Sequence, residues 1–210
     1  MTSYANCGAV KEVTFEGKYY QTKKARLYTP PAAPIPIYYS AFAPRSAAIA
    51  GKYGDGIITA GNKQLDPFKQ IIKNFEEGAR AAGKDPANMP RLVELNVEYT
   101  DDLATAIEYQ RKYWVGAYVP ALYNQKIYTP AMAAQNGAMV GTDTIKQVIA
   151  CISANAEDHI KFASQYIDMG FNQLYFHAAH PDQRAFLERY AHDVLPQLRQ
   201  RVSNLSHQGV

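Results

Sequence analysis

A short loop between an apolar strand and a helix is the first place where this sequence predicts chemistry. The loop consists of Ser40, Ala41, Phe42 and Ala43. The segment Ile35 to Ala41 is apolar or aromatic at nearly every position, as in a strand covered on both faces. Pro44 then favours a helix start. Ligands of parallel α/β folds bind where strands end and helices begin, so we expect a binding loop here, although a simple tight turn has the same composition.

Two histidines follow the last predicted strand, which runs from Gln173 to His177. His177 ends this strand and His180 lies in the next loop, at the end of the sheet where barrel chemistry occurs. An imidazole there could relay a proton or contact a substrate. The alternative is structural, with His177 as a hydrogen-bonded packing residue and His180 as a helix-start residue. Neither has the carboxylate or cysteine neighbours of a metal site.

Other polar and glycine patterns are better explained by structure than by chemistry. Asp101 and Asp102 follow Thr100 at a predicted helix start, where acidic residues favour the helix dipole. Residues 51–56 contain a GxxGxG pattern, but this pattern precedes a strand. A dinucleotide-binding loop would follow a strand, so we reject that function.

The elements that position these residues can be predicted from periodicity and caps. They are a β-hairpin over Val13 to Tyr28, a strand over Ile35 to Ala41, a helix from Pro44 to Gly51, a strand over Ile57 to Thr59, a helix from an Asp66 N-cap to Ala82, a strand over Leu92 to Tyr99, a helix after Asp102 through Trp114, a helix over Ala156 to Met169 capped by Asn155, a strand over Gln173 to His177, and a last helix that Pro196 should kink or split.

Four strand-then-helix steps predict an α/β fold that is half of a TIM (β/α)8 barrel, whose closed form typically needs about 250 residues. An open doubly wound sheet is the alternative. The predicted domains are residues 1–33, with the hairpin, and residues 34–210, the half-barrel. Residues 115–153 break the rhythm and predict a lid-like insertion, in which aromatic residues either line a pocket or pack the lid: Trp114 at its start, Tyr118, Tyr123 and Tyr128. Open sheet edges predict a partner half, dimerisation or a fragment of a longer protein.

Composition narrows the class of protein. The chain has 210 residues, of which 47% are apolar, enough for one substantial core. Its net charge is only +3 and its basic residues are dispersed, which argues against a nucleic-acid partner. Cys7 and Cys151 are isolated, so we expect reduced thiols and a cytoplasmic protein. We expect no membrane span, because no run of about 18 apolar residues occurs.

Three segments together resemble the luciferase-like superfamily. They are the hairpin from Val13 to Tyr20, the core from Pro34 to Thr59, and the run from Gly170 to His177, and the stretch from His180 to Leu187 strengthens the match. Within the superfamily, the chain is most similar to the deazaflavin-dependent oxidoreductases related to glucose-6-phosphate dehydrogenase, over about residues 11 to 202. The resemblance implies an enzyme that moves a hydride between a small organic substrate and the 5-deazaflavin coenzyme F-420.

The resemblance also implies site residues. Ser40, Ala41, Phe42 and Ala43 match the loop whose N–H groups bind the coenzyme phosphate, and a helix N-terminus favours such an anion. Lys63 and Lys126 match basic residues that bind a sugar phosphate, and His177 is expected to contact the substrate. Ile149 stands where the family has a third phosphate ligand, an arginine, which argues against glucose 6-phosphate as substrate.

The family's catalytic histidine, tryptophan and glutamate come from the first four barrel strands, which have no counterpart here. We therefore expect the C-terminal half of the barrel, inactive by itself, with a complementing N-terminal half or a homo-oligomer as partner. Two alternatives stay open. One is a monooxygenase of the same superfamily that uses flavin mononucleotide (FMN), and the other is a non-catalytic half-barrel that dimerises and binds a phosphorylated ligand.

Overall fold

The computed structural model describes residues 12–118, 129–148 and 150–208. It begins with the predicted hairpin, in which β1 (Val13–Glu16) pairs antiparallel with β2 (Gln21–Ala25). The Gly17 N–H donates to the Tyr20 carbonyl and closes the turn.

Parallel strands and helices alternate through the rest of the described chain. The strands are β3 (Tyr38–Ser40), β4 (Gly56–Ala60), β5 (Arg91–Tyr99), β6 (Cys151–Ser153) and β7 (Gln173–His177). The α-helices are α1 (Pro44–Tyr53), α2 (Asp66–Ala81), α3 (Leu103–Tyr113), α4 (Val115–Tyr118), α5 (Pro130–Ala138), α6 (Thr142–Val148), α7 (Ala156–Asp168), α8 (Gln183–Asp193) and α9 (Leu195–Gln208).

The order of the strands decides between the two predicted folds. β5 pairs with β4 through residues 91–94 and with β7 through residues 92–96, so it lies between them. The sheet therefore runs β3, β4, β5, β7 in chain order, and β6 adds to the end of β5 over residues 97–99. A doubly wound sheet reverses its order at a switch point, whereas a barrel does not. The strand order is that of a barrel-type α/β fold, as predicted, and the doubly wound alternative is wrong.

The predicted strand over Ile35 to Ala41 is shorter and more exposed than expected. Only Tyr38–Ser40 is a strand, and Ile35 and Ile37 are 69% and 45% exposed. Among the described strands, β3 pairs with β4 alone, so it forms an edge of the sheet. Its apolar sequence is that of a covered strand, but only one of its faces has a helical layer.

The helices α1 and α2 pack so closely that glycine is needed at their contact. A Cβ at Gly51 would lie 2.0 Å from the backbone oxygen of Phe75, and a Cβ at Gly78 would lie 2.2 Å from the backbone oxygen of Ala48. The prediction that Gly51 ends the helix is therefore wrong, since α1 continues to Tyr53. Helix packing, and not termination, explains this glycine.

Most other helix ends follow the sequence closely, and Asp66 is an exception. The side chains of Asp102, Asn155 and Asp182 accept N-cap hydrogen bonds from the first turns of α3, α7 and α8. Asp66 lies inside α2, because Leu65 occupies the N-cap position. The sequence does not predict β6, because a strand of three residues is too short to show an alternating pattern. β6 therefore lies within the predicted insertion. The last helix splits as predicted, into α8 and α9.

Candidate functional site

The two faces of the parallel sheet differ in composition. Side chains alternate between faces along a strand, and residues paired in register share a face. One face packs against α1, α2, α7 and α8 through Tyr39, Ile57, Val93, Leu95, Leu174 and Phe176. The other face carries Tyr38, Ser40, Ile58, Ala60, Glu94, Tyr175 and His177, and we call these seven residues the open face. In a closed barrel, this face would line the interior.

Three side chains form a cluster on and beside the open face: Glu94, His177 and Trp114. The imidazole of His177 stacks at a tilt on the Trp114 indole, with 4.1 Å between ring centroids. Its Nδ1 lies 3.9 Å from Glu94 Oε1, and within the described chain this buried nitrogen has no hydrogen-bond partner. The His177 and Glu94 side chains are 39% and 38% exposed, so the described residues of this chain do not bury the cluster.

A buried polar network lies next to this cluster, on the same side of β5. Asn96, which pairs with His177 across the strands, exchanges two hydrogen bonds with Gln110 of α3, at 2.8 and 2.9 Å. Gln110 also donates to Glu98 Oε1 at 2.6 Å and accepts from the Tyr118 hydroxyl at 2.8 Å. The N–H of Ala179 donates to the same Glu98 oxygen at 2.6 Å. The network therefore joins β5, α3, α4 and the loop after β7.

Burial controls the ionisation of two groups in this network. Glu98 is 1% exposed, and this desolvation raises the pKa of its carboxyl, against the hydrogen bonds from Gln110 and Ala179 that favour the charged form. The pKa of Tyr118 is also raised, first by burial and then by the nearby Glu98 charge. Sequence reasoning missed this network, although the spacing of Glu94, Asn96 and Glu98 along one face of β5 is a polar period-two signal.

The predicted phosphate loop keeps only part of its expected donor set. The Ala41 N–H donates to the Ile58 carbonyl at 3.0 Å, and the Ala43 N–H donates to Ser46 Oγ at 3.3 Å. These two donors are therefore already used, contrary to the expectation. The first turn of α1 offers others, since the N–H groups of Arg45 and Ser46 have no acceptor within the helix. Phe42 is 66% exposed beside them.

Lys63 contacts the insertion and is not a free cation. Its Nζ donates to the Lys146 carbonyl, and its N–H donates to the Val148 carbonyl at 2.8 Å, so it satisfies the C-terminal end of α6. Lys126, the second predicted phosphate ligand, lies outside the described residues, as do Tyr123, Tyr128 and Ile149. The predicted pairing of Lys63 with Lys126 therefore stays a prediction.

His180 is a helix-start residue, which was the structural alternative to a role in proton relay or substrate contact. Its Nδ1 accepts from the Asp182 N–H at 3.0 Å, next to the start of α8. It borders a cavity of about 130 Å³ whose other lining residues include Glu98, Tyr99 and Arg189. Arg189 lies 3.9 Å above the Tyr99 ring and pairs with Asp101, so this charge is already neutralised.

The described residues offer neither a metal-binding cluster nor a membrane-spanning helix. No group of three or more His, Cys, Asp or Glu side chains there is arranged to hold a metal ion. No helix in residues 12–118, 129–148 and 150–208 has the length and apolar character to cross a membrane.

Known proteins resemble this chain in sequence and in structure. It is 36% identical over 190 residues to the F420-dependent glucose-6-phosphate dehydrogenase of Mycolicibacterium gilvum (strain PYR-GCK), a match that covers 89% of this chain and 55% of that protein. The chain thus spans about half the length of the curated relatives it matches. The corresponding enzyme of Beutenbergia cavernae is 31% identical, with 94% of this chain and 59% of that protein covered.

A solved structure and a family model agree with these relatives. An F420-dependent secondary alcohol dehydrogenase, solved with an F420-acetone adduct, superposes with a TM-score of 0.76 at 33% identity, covering 90% of this chain and 56% of that one. The model of the luciferase-like monooxygenase family matches residues 5–173. The chain therefore belongs to the luciferase-like monooxygenase family.

Proposed function

We propose that this chain is the C-terminal half-barrel of an oxidoreductase that transfers a hydride between a small organic substrate and coenzyme F420. The observation that carries the proposal is the 33% identity and 0.76 TM-score with the F420-dependent secondary alcohol dehydrogenase. The bound deazaflavin would accept or donate the hydride. The C-terminal end of the open face supports the proposal, since Ser40, Ala60 and His177 end their strands there, where a barrel enzyme binds its ligands.

The coenzyme phosphate would bind at the start of α1. Ser40 to Ala43 lead into this helix end, whose N–H groups and dipole favour an anion. Because the Ala41 and Ala43 N–H groups have partners within the fold, the N–H groups of Arg45 and Ser46 would supply the direct contacts. The loop from Ser40 to Ala43 contains no glycine that would let a phosphate approach its backbone closely, so the phosphate would lie at the helix end and not deep in the loop.

The substrate would lie over the open face, in contact with His177. If it is phosphorylated, Lys63 and Lys126 would bind its phosphate, which requires the Lys63 ammonium to leave the Lys146 carbonyl. That displacement would loosen the end of α6. Phosphate binding and movement of the insertion would then be linked.

The partner would be a polypeptide that supplies the remaining barrel strands, or a second copy of this chain. The exposed Ile35 and Ile37 beside β3 support such a contact, because an apolar sheet edge favours strand pairing. Without the other strands, we expect this half-barrel to fold but not to turn over substrate.

A complementation experiment tests the function. The chain is mixed with a polypeptide that covers the part of the Mycolicibacterium gilvum relative outside the match. Oxidised F420 is then titrated by fluorescence, and its reduction is followed with propan-2-ol or glucose 6-phosphate. We expect coenzyme binding and reduction by at least one alcohol in the mixture only.

The same experiment separates the alternatives. A folded complex that binds FMN and not F420 supports the FMN-dependent monooxygenase. A folded complex that binds neither refutes the proposal, and a stable redox-inactive dimer of this chain supports the non-catalytic half-barrel.

A further inference from the structure

We propose that Glu94, His177 and Trp114 form a subsite for an uncharged, hydroxyl-bearing part of a ligand, and that Glu94 excludes anionic groups from it. The inference rests on the proposed function, because it names the chemical class that the same open face accepts. It adds two residues, Glu94 and Trp114, to the predicted contact at His177.

The geometry of His177 fixes which of its nitrogens can meet a ligand. Nδ1 is buried and is directed towards Glu94, 3.9 Å away. In the tautomer with its proton on Nδ1, on the side of that carboxylate, the ring presents the lone pair of Nε2 to a ligand. Nε2 is then an acceptor that a ligand hydroxyl can satisfy by donating its hydrogen.

The aromatic groups around this acceptor favour a ligand with an apolar body. Trp114 packs on one side of the imidazole, and Tyr175, two residues before His177 on the same face, is 52% exposed. Flat apolar surface beside a hydrogen-bond acceptor suits a ring or chain that carries a hydroxyl group.

The charges around the cluster disfavour a phosphate. Glu94 is a carboxylate on the open face, and the neighbouring buried carboxyl on this side of β5 is Glu98. Within the described chain, the basic side chain that lies next to Glu94 is His177, whose Nδ1 is 3.9 Å from the carboxylate. A dianion placed here would meet a like charge at short range, so a phosphorylated ligand would have to direct its phosphate elsewhere.

Trp114 makes the subsite directly observable, because it is the only tryptophan in the chain. Cyclohexanol and cyclohexyl phosphate, which differ only in the charged group, are titrated into the chain alone while the indole emission is recorded. We expect cyclohexanol to reach half-saturation at a concentration at least about tenfold below that of the phosphate ester, since like charges at this range repel strongly.

The matched variants are Glu94→Gln and Glu157→Gln, the latter altering an exposed carboxylate in the first turn of α7. Glu94→Gln should reduce the discrimination at least about threefold, because the repelling charge is gone, and Glu157→Gln should leave it unchanged. Glu94→Asp keeps the charge and should keep the discrimination, and circular dichroism verifies that each variant is folded.

Equal or tighter binding of the phosphate ester by the wild type overturns the proposal. So does a discrimination that Glu94→Gln leaves intact. The titration uses no coenzyme, so a selective subsite without hydride transfer in the complemented complex would refute the proposed function and leave this inference standing.

Discussion

Replacing Glu98 tests whether the buried network is held together by one carboxylate. Glu98→Ala removes the oxygen that accepts from both Gln110 and the Ala179 N–H, each at 2.6 Å. Gln110 keeps a second acceptor, the Asn96 side-chain oxygen, whereas the Ala179 N–H loses the acceptor to which it donates. Glu98→Gln keeps one oxygen that can accept both hydrogen bonds, while it removes the charge and replaces the other carboxylate oxygen by an NH2 group.

The expected magnitudes follow from these contacts. One orphaned buried donor costs about 1–3 kcal/mol, and deleting the buried side-chain methylenes adds a cavity term, so Glu98→Ala should lower the free energy of unfolding by about 2–4 kcal/mol. Glu98→Gln should stay within about 1 kcal/mol of the wild type near neutral pH, because it loses charge-assisted hydrogen bonds but also the cost of burying a charge.

The dependence on pH has a definite sign. Burial raises the pKa of Glu98 above its ordinary value of 4.5, so the folded state binds the proton more tightly than the unfolded state. Between pH 4.5 and that raised value, the contribution of Glu98 to stability falls as pH rises. Glu98→Gln cannot titrate, so its stability relative to the wild type should improve across this window.

Urea unfolding followed by far-ultraviolet circular dichroism, at about pH 5 and about pH 7.5, measures both effects. Glu157→Gln, an exposed carboxylate, is the control for a general change of charge. Equal stability of Glu98→Ala and Glu98→Gln would refute the assignment of the Ala179 contact. A Glu98→Gln variant that loses stability relative to the wild type as pH rises would refute the raised pKa.

Three further predictions concern packing, capping and reactivity. Gly51→Ala should destabilise by about 2 kcal/mol or more in urea unfolding, since its Cβ would overlap backbone, whereas Gly141→Ala should be nearly neutral because its Cβ meets only one atom at 3.9 Å. The N-cap hydrogen bonds lower the pKa of Asp102 below its ordinary value of 3.8, so the charged Asp102 stabilises the fold above pH 3.8 and this stabilisation is lost as the pH falls through the lowered pKa. Asp102→Asn should therefore lose less stability than the wild type when the solution is acidified. An equal loss of stability in the two proteins would contradict this prediction. Burial raises the pKa of the Cys151 thiol to about 11. In a Cys7→Ser variant, Cys151 should therefore react with a thiol reagent only at the rate at which the protein unfolds. Immediate labelling of the folded protein would contradict this prediction.

The sequence predicted the elements well where a local signal exists. α2 shows its apolar face at helical spacing, with Phe68, Ile71, Ile72, Phe75 and Ala79 all buried. Gly83 and Gly170 follow their helices with positive φ, a conformation that glycine adopts without strain. Such features are set by neighbouring residues, so periodicity and caps suffice to find them.

The site was harder to predict, because its contacts join residues far apart in the chain. Lys63 fits a surface phosphate ligand by its position after β4, yet its ammonium binds a carbonyl more than eighty residues away. Glu98 and Ala179 are 81 residues apart in the chain, and no short-range pattern encodes their contact. The family resemblance implies Ala41 as a phosphate donor, but sheet pairing takes its N–H.

The face on which His177 lies depends on the same pairing that builds the core. In the observed register, Leu174 and Phe176 of β7 pack into the core, so His177 takes the open face beside Asn96. A shift of one residue between β5 and β7 would reverse these sides, burying an imidazole and exposing Phe176. The free energy that drives Leu174 and Phe176 into the core therefore also holds His177 beside Glu94 and Trp114. A substitution that weakens the core face of β7 should disturb the open-face cluster even though it touches none of its members.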